Sequence, residues 1–276
     1  MSDPFKIIEP TSISFSGGRT SAYLLWRVLQ SHNGKLPDDA KVIFANTGKE
    51  SEQTLEFIKK CSEHWNVEII WVEYISDEPL FKVVNFDTAS RNGEPFEAVI
   101  RKYKKLPNPA QRWCTGVLKI RTMHKYLKSL GWEHHETNNA DFVGIRYDEQ
   151  RRAVKMAREK LPLVSAKITK QDVLNFWKNN SFDLELPVIE GETVGGNCDL
   201  CFLKSLPKIL TLVNQDPKRA IWWSKMEKLV PDLEGVKKGN GSTFRSDRPT
   251  YEQIANNHLK QMTLNYEEDI ACFCGD

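Results

Sequence analysis

The chain contains 276 residues with 39 basic and 37 acidic side chains, and its formal net charge of only +2 does not favour nucleic acid as a partner. No apolar run approaches the roughly 20 residues that a membrane-spanning helix needs, and the first residues lack a signal-peptide pattern. We therefore expect a cytoplasmic protein without membrane contact, whose six cysteines serve metal or thiol chemistry before structural disulfides.

The first predicted elements surround a glycine turn. An apolar stretch ending at Phe15 is followed by Ser16-Gly17-Gly18 and then by an apolar helical pattern. Strand, glycine turn and helix is the arrangement that directs backbone N–H groups and the positive end of a helix toward an anion. The turn therefore predicts a phosphate or sulfate site, and an ordinary tight turn capped by serine is the alternative.

The next elements alternate between strand and helix. Residues 41–46 and 67–74 are predicted strands, and residues 52–64 between them carry helical spacing. This alternation predicts an α/β fold with a doubly wound, mostly parallel sheet. We expect this domain to span residues 1–165, and a smaller, mainly helical, cysteine-containing region at residues 166–276 to pack against it. Because ligands bind beyond the carboxyl ends of parallel strands, the turns at 16–21 and 46–50 are expected on one rim.

Residues 76–109 show little periodicity and are predicted to be an irregular excursion over this rim. The excursion contains a basic run, which is either a solvated face or an attraction for a polyanionic substrate. The run consists of Arg101, Lys102, Lys104 and Lys105.

A cysteine precedes the helix predicted for residues 117–130. Cys114 is expected just before the N-terminus of this helix, where the helix dipole, Arg112 and Lys119 lower the pKa of a thiol. A predicted strand at residues 141–146 follows, and arginines lie at its end. Because a guanidinium suits phosphate and sulfate, the candidate anion clamps are Arg146, Arg151 and Arg152.

The remaining cysteines suggest a metal centre. Cys198 and Cys201 form a Cys-x-x-Cys after two glycines, which allows two thiolates to reach one metal; a solvent-facing dithiol is the alternative. Cys61 falls on the apolar stripe of a helix and is predicted to be core. We infer a single centre held by Cys114, Cys198, Cys201 and one of the two tail cysteines, Cys272 and Cys274. Spacing alone does not separate iron–sulfur from zinc.

The turn at residues 16–21 resembles the PP-loop of the adenine nucleotide alpha hydrolase superfamily, usually Ser-Gly-Gly-x-Asp-Ser. Thr20 replaces the Asp, and since a hydroxyl is a poor ligand for Mg²⁺, the change disfavours ATP hydrolysis while leaving nucleotide binding intact. Within the superfamily, the chain is similar to the phosphoadenosine phosphosulfate reductase family. That similarity extends to the Asn46-Thr47-Gly48 turn, where the family has Asp, and to Gly144-Ile145-Arg146.

The resemblance implies an adenine nucleotide as substrate or ligand. The residues expected to contact it are Ser16, Gly17, Gly18, Arg19, Thr20, Ser21, Asn46, Thr47, Gly48, Gly144, Arg146, Arg151 and Arg152. The turn at residues 46–48 is alternatively an Asx-bonded helix cap. The family's Thr-x-x-Asp-Val element matches Thr169 and Asp172, which also predict a capping box.

The cluster-bearing branch of the family implies a 4Fe–4S cluster, with Zn²⁺ as the alternative. Cys274-Gly275 resembles a shortened form of the family's terminal motif, whose cysteine attacks sulfur and is released by a thioredoxin-like reductant. We assign catalytic roles to Cys272, as nucleophile, and to the cations Arg146 and Lys119, with Cys274 as metal ligand. The reverse assignment of the two tail cysteines stays open.

The sequence thus predicts a sulfonucleotide reductase-like enzyme performing cysteine-based sulfur chemistry beside the cluster. Two alternatives remain. One is an ATP-dependent sulfur transferase that modifies nucleic acid, and the other is a nucleotide-binding redox sensor without turnover.

Overall fold

The computed structural model describes residues 3–132, 142–189, 192–196, 198–236 and 241–256. Within these ranges a five-stranded sheet has the strand order β4-β3-β2-β1-β5. The pairs β1–β2, β2–β3 and β1–β5 are parallel, and β4 is an antiparallel edge strand on β3. The strands are β1 Thr11–Ser14, β2 Ala40–Asn46, β3 Ile69–Glu73, β4 Lys82–Val84 and β5 Phe142–Val143. The predicted mostly parallel α/β sheet is confirmed.

Helices surround the sheet and continue beyond it. The described helices are α1 Arg19–Ser31, α2 Glu52–Trp65, α3 Glu94–Tyr103, a π-helix at Thr115–Arg121, α4 Thr122–Ser129, α5 Gln150–Ala153, a 3₁₀ turn at Arg158–Lys160, α6 Pro162–Ser165, α7 Lys170–Lys178, α8 Leu206–Gln215, α9 Arg219–Asp232 and α10 Tyr251–Ala255. A small hairpin joins β6 Val188–Ile189 to β7 Glu192–Thr193. None of the helices in the described ranges has the length and apolarity to cross a bilayer.

The central strands are buried on both faces, which explains why they read as apolar runs without alternation. Ile13 pairs with Val42 across β1 and β2, and both side chains are fully buried. Helix α7 packs back on α1, so that Val173 and Trp177 join the core cluster of the sheet. The predicted capping box is present, because the Thr169 hydroxyl accepts from the Asp172 N–H while the Asp172 carboxylate accepts from the Thr169 N–H. It fixes the start of α7.

A second core cluster joins the C-terminal helices to α3 and the π-helix. Trp223 is fully buried between Phe96, Phe244 and Tyr251. Trp222 is 9% exposed and packs on Phe96, so both tryptophans belong to this cluster. Residues far apart in sequence therefore share one apolar interior.

The expectation of an irregular excursion over residues 76–109 was wrong for two parts of it, β4 and α3. Helix α3 buries Phe96, Val99 and Ile100, which share one face and pack in the second cluster. The predicted helix at 117–130 begins instead as a π-helix and continues as α4. Of the strand predicted at residues 141–146, Phe142–Val143 is β5, and residue 141 lies outside the described ranges.

Candidate functional site

The turn after β1, residues 16–21, requires glycine at its tightest point. Gly17 has a φ of +79°, and a Cβ placed there would lie 2.6 Å from Thr54 Cγ2 on α2. Gly144, after β5, approaches the same turn so closely that its Cβ would lie 3.1 Å from the Ser21 Cα. The turn is therefore held between α2 and the end of β5. A side chain at position 17 would force the turn to shift, and one at position 144 would press on its backbone.

The Ser21 hydroxyl stabilises the turn from inside. It accepts a hydrogen bond from the Ser16 N–H at 3.2 Å and donates to the Gly18 carbonyl at 2.9 Å. Ser21 is 2% exposed, and Ser16 Oγ lies 3.0 Å from Ser21 Oγ. The structure thus places Ser21 as a support of the turn, whereas Ser16, Gly17, Gly18 and Thr20 line the adjacent cleft.

We call this cavity the α7 cleft. Its empty space is about 540 Å³ including the open mouth, a size that suits a small ligand. One wall is the turn after β1; the other is apolar and includes Val173, Leu174, Leu184 and Leu186. The Thr54 hydroxyl on the lining is buried and has no hydrogen-bond partner among the described residues. Since buried hydroxyls are nearly always satisfied, this donor suits a ligand.

Three cations line the α7 cleft: Arg19, Arg146 and Lys170. Arg146 Nη1 donates to Thr20 Oγ1 at 2.9 Å, and its other contacts are the carboxylates of Asp148 at 3.3 Å and Glu149 at 3.7 Å. Lys170 is the first residue of α7 and is exposed. Arg146 thus lies against the turn, and Lys170 lines the same cleft.

The other predicted arginine clamps differ in their surroundings. Arg152 is half-buried and pairs with Glu149, while its Nε and Nη2 are buried and unpartnered among the described residues. Arg151 is exposed. Arg19 directs its guanidinium to Asp183, and hence to the C-terminal half of the chain. The structure therefore brings Arg146 to the turn, and Arg19, although it also lines the α7 cleft, bonds through its guanidinium to Asp183.

A second cavity, the strand-end cleft, lies on the other side of Ser16. It has about 390 Å³ of empty space including its mouth. Its lining combines apolar and polar side chains: Ser14, Phe15, Ser16, Ala45, Thr115, Lys119, Ile120 and Met123. Because Ser16 lines both clefts, the turn after β1 separates two adjoining spaces at the carboxyl ends of β1 and β2.

In the turn after β2, residues 46–50, the polar side chains form hydrogen bonds with other groups of the protein. The Asn46 amide donates to Glu73 Oε1 at 2.6 Å and to the Ser90 carbonyl at 2.9 Å. Its Oδ1 accepts from the Gly48 N–H at 3.1 Å, which is the Asx bond given above as the alternative to ligand contact. The Asn46 side chain thus fixes the turn, and Gly48 adopts a φ of +77°.

Glu50 closes the same turn. Its carboxylate accepts from the Thr47 N–H at 2.9 Å, from Thr47 Oγ1 at 2.8 Å and from the Lys49 N–H at 3.2 Å. Lys119 Nζ lies 3.7 Å away, and the Glu50 side chain is only 2% exposed. Lys119 therefore connects the strand-end cleft with this buried carboxylate.

Cys198 lies directly beside the second turn. Its Sγ is 3.5 Å from Thr47 Oγ1, and its backbone forms a bridge with Glu50. Burial raises the pKa of the Cys198 thiol well above its usual range, and the negative charges of Glu50 and Cys201 add to the rise, while Lys119 and Thr47 oppose it. A thiol in this setting needs a cation or a metal to ionise.

The other described cysteines occupy two environments. Cys114 is in right-handed helical conformation at the start of the π-helix, and Cys114, Cys198 and Cys201 all belong to or pack against the second core cluster. Cys61 is fully buried in the first cluster, as predicted, and burial raises the pKa of its thiol. No disulfide joins these four cysteines.

The predicted metal centre has donors of the right chemistry but is incomplete here. In the described ranges no three or more Cys, His, Asp or Glu side chains are arranged to hold a metal ion. Cys272 and Cys274 lie outside the described residues. The thiol pair of Cys198 and Cys201 suits iron–sulfur or zinc, and the ligand set with Cys114 and Cys274 stays a prediction.

The side chains of the basic run, which lies at the end of α3 and just after it, contact other residues of the protein. Lys102 Nζ donates to the Tyr74 hydroxyl at 3.3 Å and Lys104 Nζ to the Glu234 carbonyl at 2.7 Å. Arg101 pairs with Glu97 at 2.6 Å, and Lys105 Nζ donates to Gln111 Oε1 at 3.1 Å. These contacts favour the interpretation as a solvated face over attraction of a polyanion.

Some residues of the site were not singled out from the sequence. Lys170, Leu184, Leu186 and Thr193 line the α7 cleft, yet they come from segments more than 140 residues after the turn. The capping box at Thr169 was the one local signal, because it sets Lys170 as the first residue of α7. No local sequence pattern predicts that Leu184, Leu186 and Thr193 line the cleft.

Similar proteins occur in a phage and an archaeon. The nin region protein ORF290 of Escherichia phage lambda, described as uncharacterised, is 30% identical over 206 residues, covering 71% of this chain and 67% of that protein. An uncharacterised protein of Methanocaldococcus jannaschii is 29% identical over 151 residues. That match covers 54% of this chain and only 26% of the archaeal protein, so the two share about a quarter of the latter's length.

The chain is also similar to a solved structure, the U34-tRNA thiolase NcsA from Methanococcus maripaludis with its 4Fe–4S cluster. The TM-score is 0.38 at 16% identity, covering 92% of this chain and 82% of that one. A likeness of this level says nothing about function. The sequence profile of the phosphoadenosine phosphosulfate reductase domain matches residues 10–178, which is more than half of the chain and contains both rim turns. The chain belongs to the phosphoadenosine phosphosulfate reductase domain family.

Proposed function

We propose that the protein binds an adenine nucleotide on the turn after β1 and carries out cysteine-based sulfur chemistry on it. The observation that carries this proposal is the turn itself. Residues 16–18 line the α7 cleft, and Ser16 also lines the strand-end cleft. Gly17 and Gly144 lie close to neighbouring atoms, and Arg146 contacts Thr20 at the same place. Backbone N–H groups at the start of α1 suit the nucleotide's phosphate or phosphosulfate.

The two clefts suggest how the nucleotide lies. The anionic group belongs at the turn, within the field of Arg146 and Lys170. The strand-end cleft offers Phe15, Ala45 and Met123 as an apolar surface for the nucleoside. A nucleotide bound in this way would bring its anionic group between the clefts, beside Ser16.

The sulfur chemistry is proposed for the side of the site that holds Cys198. Lys119 lines the strand-end cleft and approaches Glu50, whose backbone pairs with Cys198. The cysteines proposed to hold a 4Fe–4S cluster, or alternatively zinc, are Cys114, Cys198, Cys201 and Cys274. A cluster or zinc ion bound there would hold these thiolates together, and its charge would tune the electrostatics near the leaving oxyanion.

As a reductase, the protein would use Cys272 as the nucleophile. Its thiolate would attack the sulfonate sulfur, the sulfur–oxygen bond to the nucleotide phosphate would break with its electron pair leaving on that oxygen, and a thioredoxin-like dithiol would then reduce the protein thiosulfonate to release sulfite. Arg146 would stabilise the departing phosphate oxygens.

Anaerobically purified protein tests the function with two assays. Sulfite release from phosphoadenosine phosphosulfate with thioredoxin, abolished in Cys272→Ser and retained in Cys61→Ser, supports the reductase. Release of AMP and pyrophosphate from ATP in the presence of nucleic acid supports the sulfur transferase instead. Nucleotide binding without either product supports the redox sensor. A protein that binds no adenine nucleotide contradicts all three.

The metal is tested separately by analysis of iron, sulfide and zinc. Cys198→Ser and Cys201→Ser should each lower the metal content, and Cys61→Ser should leave it unchanged. Wild-type protein that contains neither iron with sulfide nor zinc contradicts the proposed centre.

A further inference from the structure

Arg19 directly follows the glycines of the turn after β1, yet its guanidinium is bonded to a distant segment. Nε and Nη2 donate to the two carboxylate oxygens of Asp183 at 2.7 and 2.8 Å. Nη2 also donates to the Leu184 carbonyl at 2.9 Å, and Nη1 donates to Thr193 Oγ1 at 3.0 Å. The Arg19 side chain is 13% exposed and the Asp183 side chain 37%, so the pair is buried on the arginine side and reaches solvent on the other.

The segment that Arg19 holds forms a wall of the α7 cleft. Leu184, Leu186, Thr193 and Gly196 all line it opposite the turn. The Arg19 backbone is fixed as well, because the Trp177 indole N–H donates to its carbonyl at 3.0 Å. A bidentate arginine–carboxylate pair has one preferred geometry, and it therefore fixes the distance between the turn and this wall.

The same segment leads directly to Cys198 and Cys201. A second set of contacts fixes that end to the turn after β2, where the Asp199 N–H donates to the Lys49 carbonyl at 2.7 Å and Ser51 Oγ donates to the Gly195 carbonyl at 3.4 Å. The cysteine-bearing segment is thus attached to both rim turns. Arg19 makes the attachment to the turn that binds the nucleotide.

We propose that Arg19 is a positioning residue that ties the nucleotide-binding turn to the segment carrying Cys198 and Cys201, so that nucleotide binding and the order of this segment stabilise each other. This inference rests on the proposed function, because it requires a nucleotide at the turn. Binding that orders the turn also orders Arg19, and the four hydrogen bonds of Arg19 transmit that order to the wall. By linkage, an ordered wall in turn favours nucleotide binding.

Hydrogen–deuterium exchange of the full chain, with and without saturating AMP, tests the proposal. The amides to follow are those of Val194, Asp199 and Cys201, which donate to the carbonyls of Pro187, Lys49 and Cys198. We expect AMP to slow their exchange at least about fivefold in the wild type, the lower end of typical coupling between sites. The Arg19→Lys variant keeps the positive charge but cannot form the two parallel hydrogen bonds to Asp183, and in this variant the slowing should fall below twofold.

Two further variants make the test specific. Asp183→Asn leaves the bonds of Arg19 to Leu184 and Thr193 and should retain part of the effect. Arg91→Lys alters a bidentate pair with Glu52 that lines neither cleft, and it should retain the whole effect. Circular dichroism melts establish that each variant is folded. If Arg19→Lys is not folded, the exchange of Asp183→Asn with and without AMP is compared with that of the wild type instead.

The outcomes separate the inference from the function. Wild-type protein that does not bind AMP in calorimetry contradicts the proposed function. Protein that binds AMP but shows no slowing of exchange, or equal slowing in Arg19→Lys and the wild type, overturns the role of Arg19 and leaves nucleotide binding standing.

Discussion

The turns after β1 and β2 leave neighbouring parallel strands at the same rim of the sheet. Each contains glycine with positive φ and small polar residues. In the turn after β2, Asn46 bonds to Glu73 and to backbone groups, and Thr47 bonds to Glu50. In the turn after β1, residues 16–18 line open clefts, and beside them the buried Thr54 hydroxyl has no partner within the described ranges.

This difference shows that a glycine turn at a sheet rim is not by itself a ligand site. The polar groups of the second turn are already satisfied, so a ligand would have to displace good hydrogen bonds. In the first turn the Ser16 N–H also bonds within the turn, to Ser21, but residues 16–18 line the clefts. We therefore expect substitutions in the second turn to change stability more than nucleotide affinity, and substitutions in the first to change both or mainly affinity.

The largest effect is expected for Asn46→Asp, which introduces the residue that the family usually has. The new carboxylate would lie against Glu73, which is fully buried and now accepts from the Asn46 amide at 2.6 Å. Two carboxylates at this distance repel, and the free energy of unfolding should fall by about 3 kcal/mol at neutral pH. Urea denaturation measures it, and AMP affinity should change little.

Two controls accompany Asn46→Asp. Asn46→Asp with Glu73→Gln should recover most of the lost stability, because it removes the repulsion. Asn85→Asp, in an exposed turn where Asn85 Oδ1 accepts from the Asp87 N–H at 3.0 Å, should cost less than about 0.5 kcal/mol. A stable Asn46→Asp variant with weakened AMP binding would reverse the comparison, since it would assign ligand contact to the second turn.

The next effect is expected for Gly17→Ala in the first turn. Its Cβ would lie 2.6 Å from Thr54 Cγ2 at a φ of +79°, so the turn must shift. Gly34→Ala is the matched control, because Gly34 has a φ of +81° and no atom within 4 Å of a Cβ. Gly34→Ala should cost about 1 kcal/mol for the backbone alone, and Gly17→Ala about 2–3 kcal/mol.

The two glycine variants also separate binding from strain. AMP affinity, measured by calorimetry, should fall at least about tenfold in Gly17→Ala and stay unchanged in Gly34→Ala, since tenfold corresponds to about 1.4 kcal/mol. Equal affinities in the two variants would show that the first turn does not contact the nucleotide.

Stabilities of these variants must be compared at one pH, because Glu227 titrates near neutrality. Burial raises the pKa of Glu227 to about 7, although the N–H groups of Tyr251 and Phe244 donate to it. The pKa of Glu227 in the folded protein exceeds its ordinary value of 4.5. The contribution of Glu227 to the free energy of unfolding is therefore complete below about pH 4.5 and is lost as the pH rises through 7. Because one pKa unit corresponds to about 1.4 kcal/mol, the loss should be about 3 kcal/mol.

Glu227→Gln removes this titration. Unfolding free energies of the variant, measured in urea from pH 5 to 8, should lack the decline seen in the wild type. The same decline in both proteins would assign it to another group.

The parts of the fold that could be predicted are those whose signal is local. The series from β1 to β3 followed from apolar runs and turns, and the capping box of α7 from Thr169 and Asp172. Helix α3 was missed, although Phe96, Val99 and Ile100 have helical spacing, because its ten residues lie within a longer stretch that shows little periodicity. Its apolar face is covered by tryptophans more than 120 residues later.

The site was less predictable than the fold for the same reason. The glycine turn and the Cys-x-x-Cys are visible motifs, whereas the contact between them depends on Arg19 and Asp183, which are 164 residues apart. Asn46 also shows the limit of a motif. Its position suggested ligand contact, but whether its amide is free depends on Glu73 from the neighbouring strand.

The smallest effect is expected for Lys170→Gln at the rim of the α7 cleft. Lys170 is exposed and lines the cleft with Arg146, so its attraction for a nucleotide phosphate acts partly through water. AMP affinity should fall about three- to tenfold at low salt, which is about 1 kcal/mol, and the difference should shrink at high salt. Lys178→Gln, at the far end of α7, is the matched control and should change affinity less than twofold. Equal effects of the two substitutions would mean that α7 contributes only general positive charge, and the first turn alone would then hold the anion.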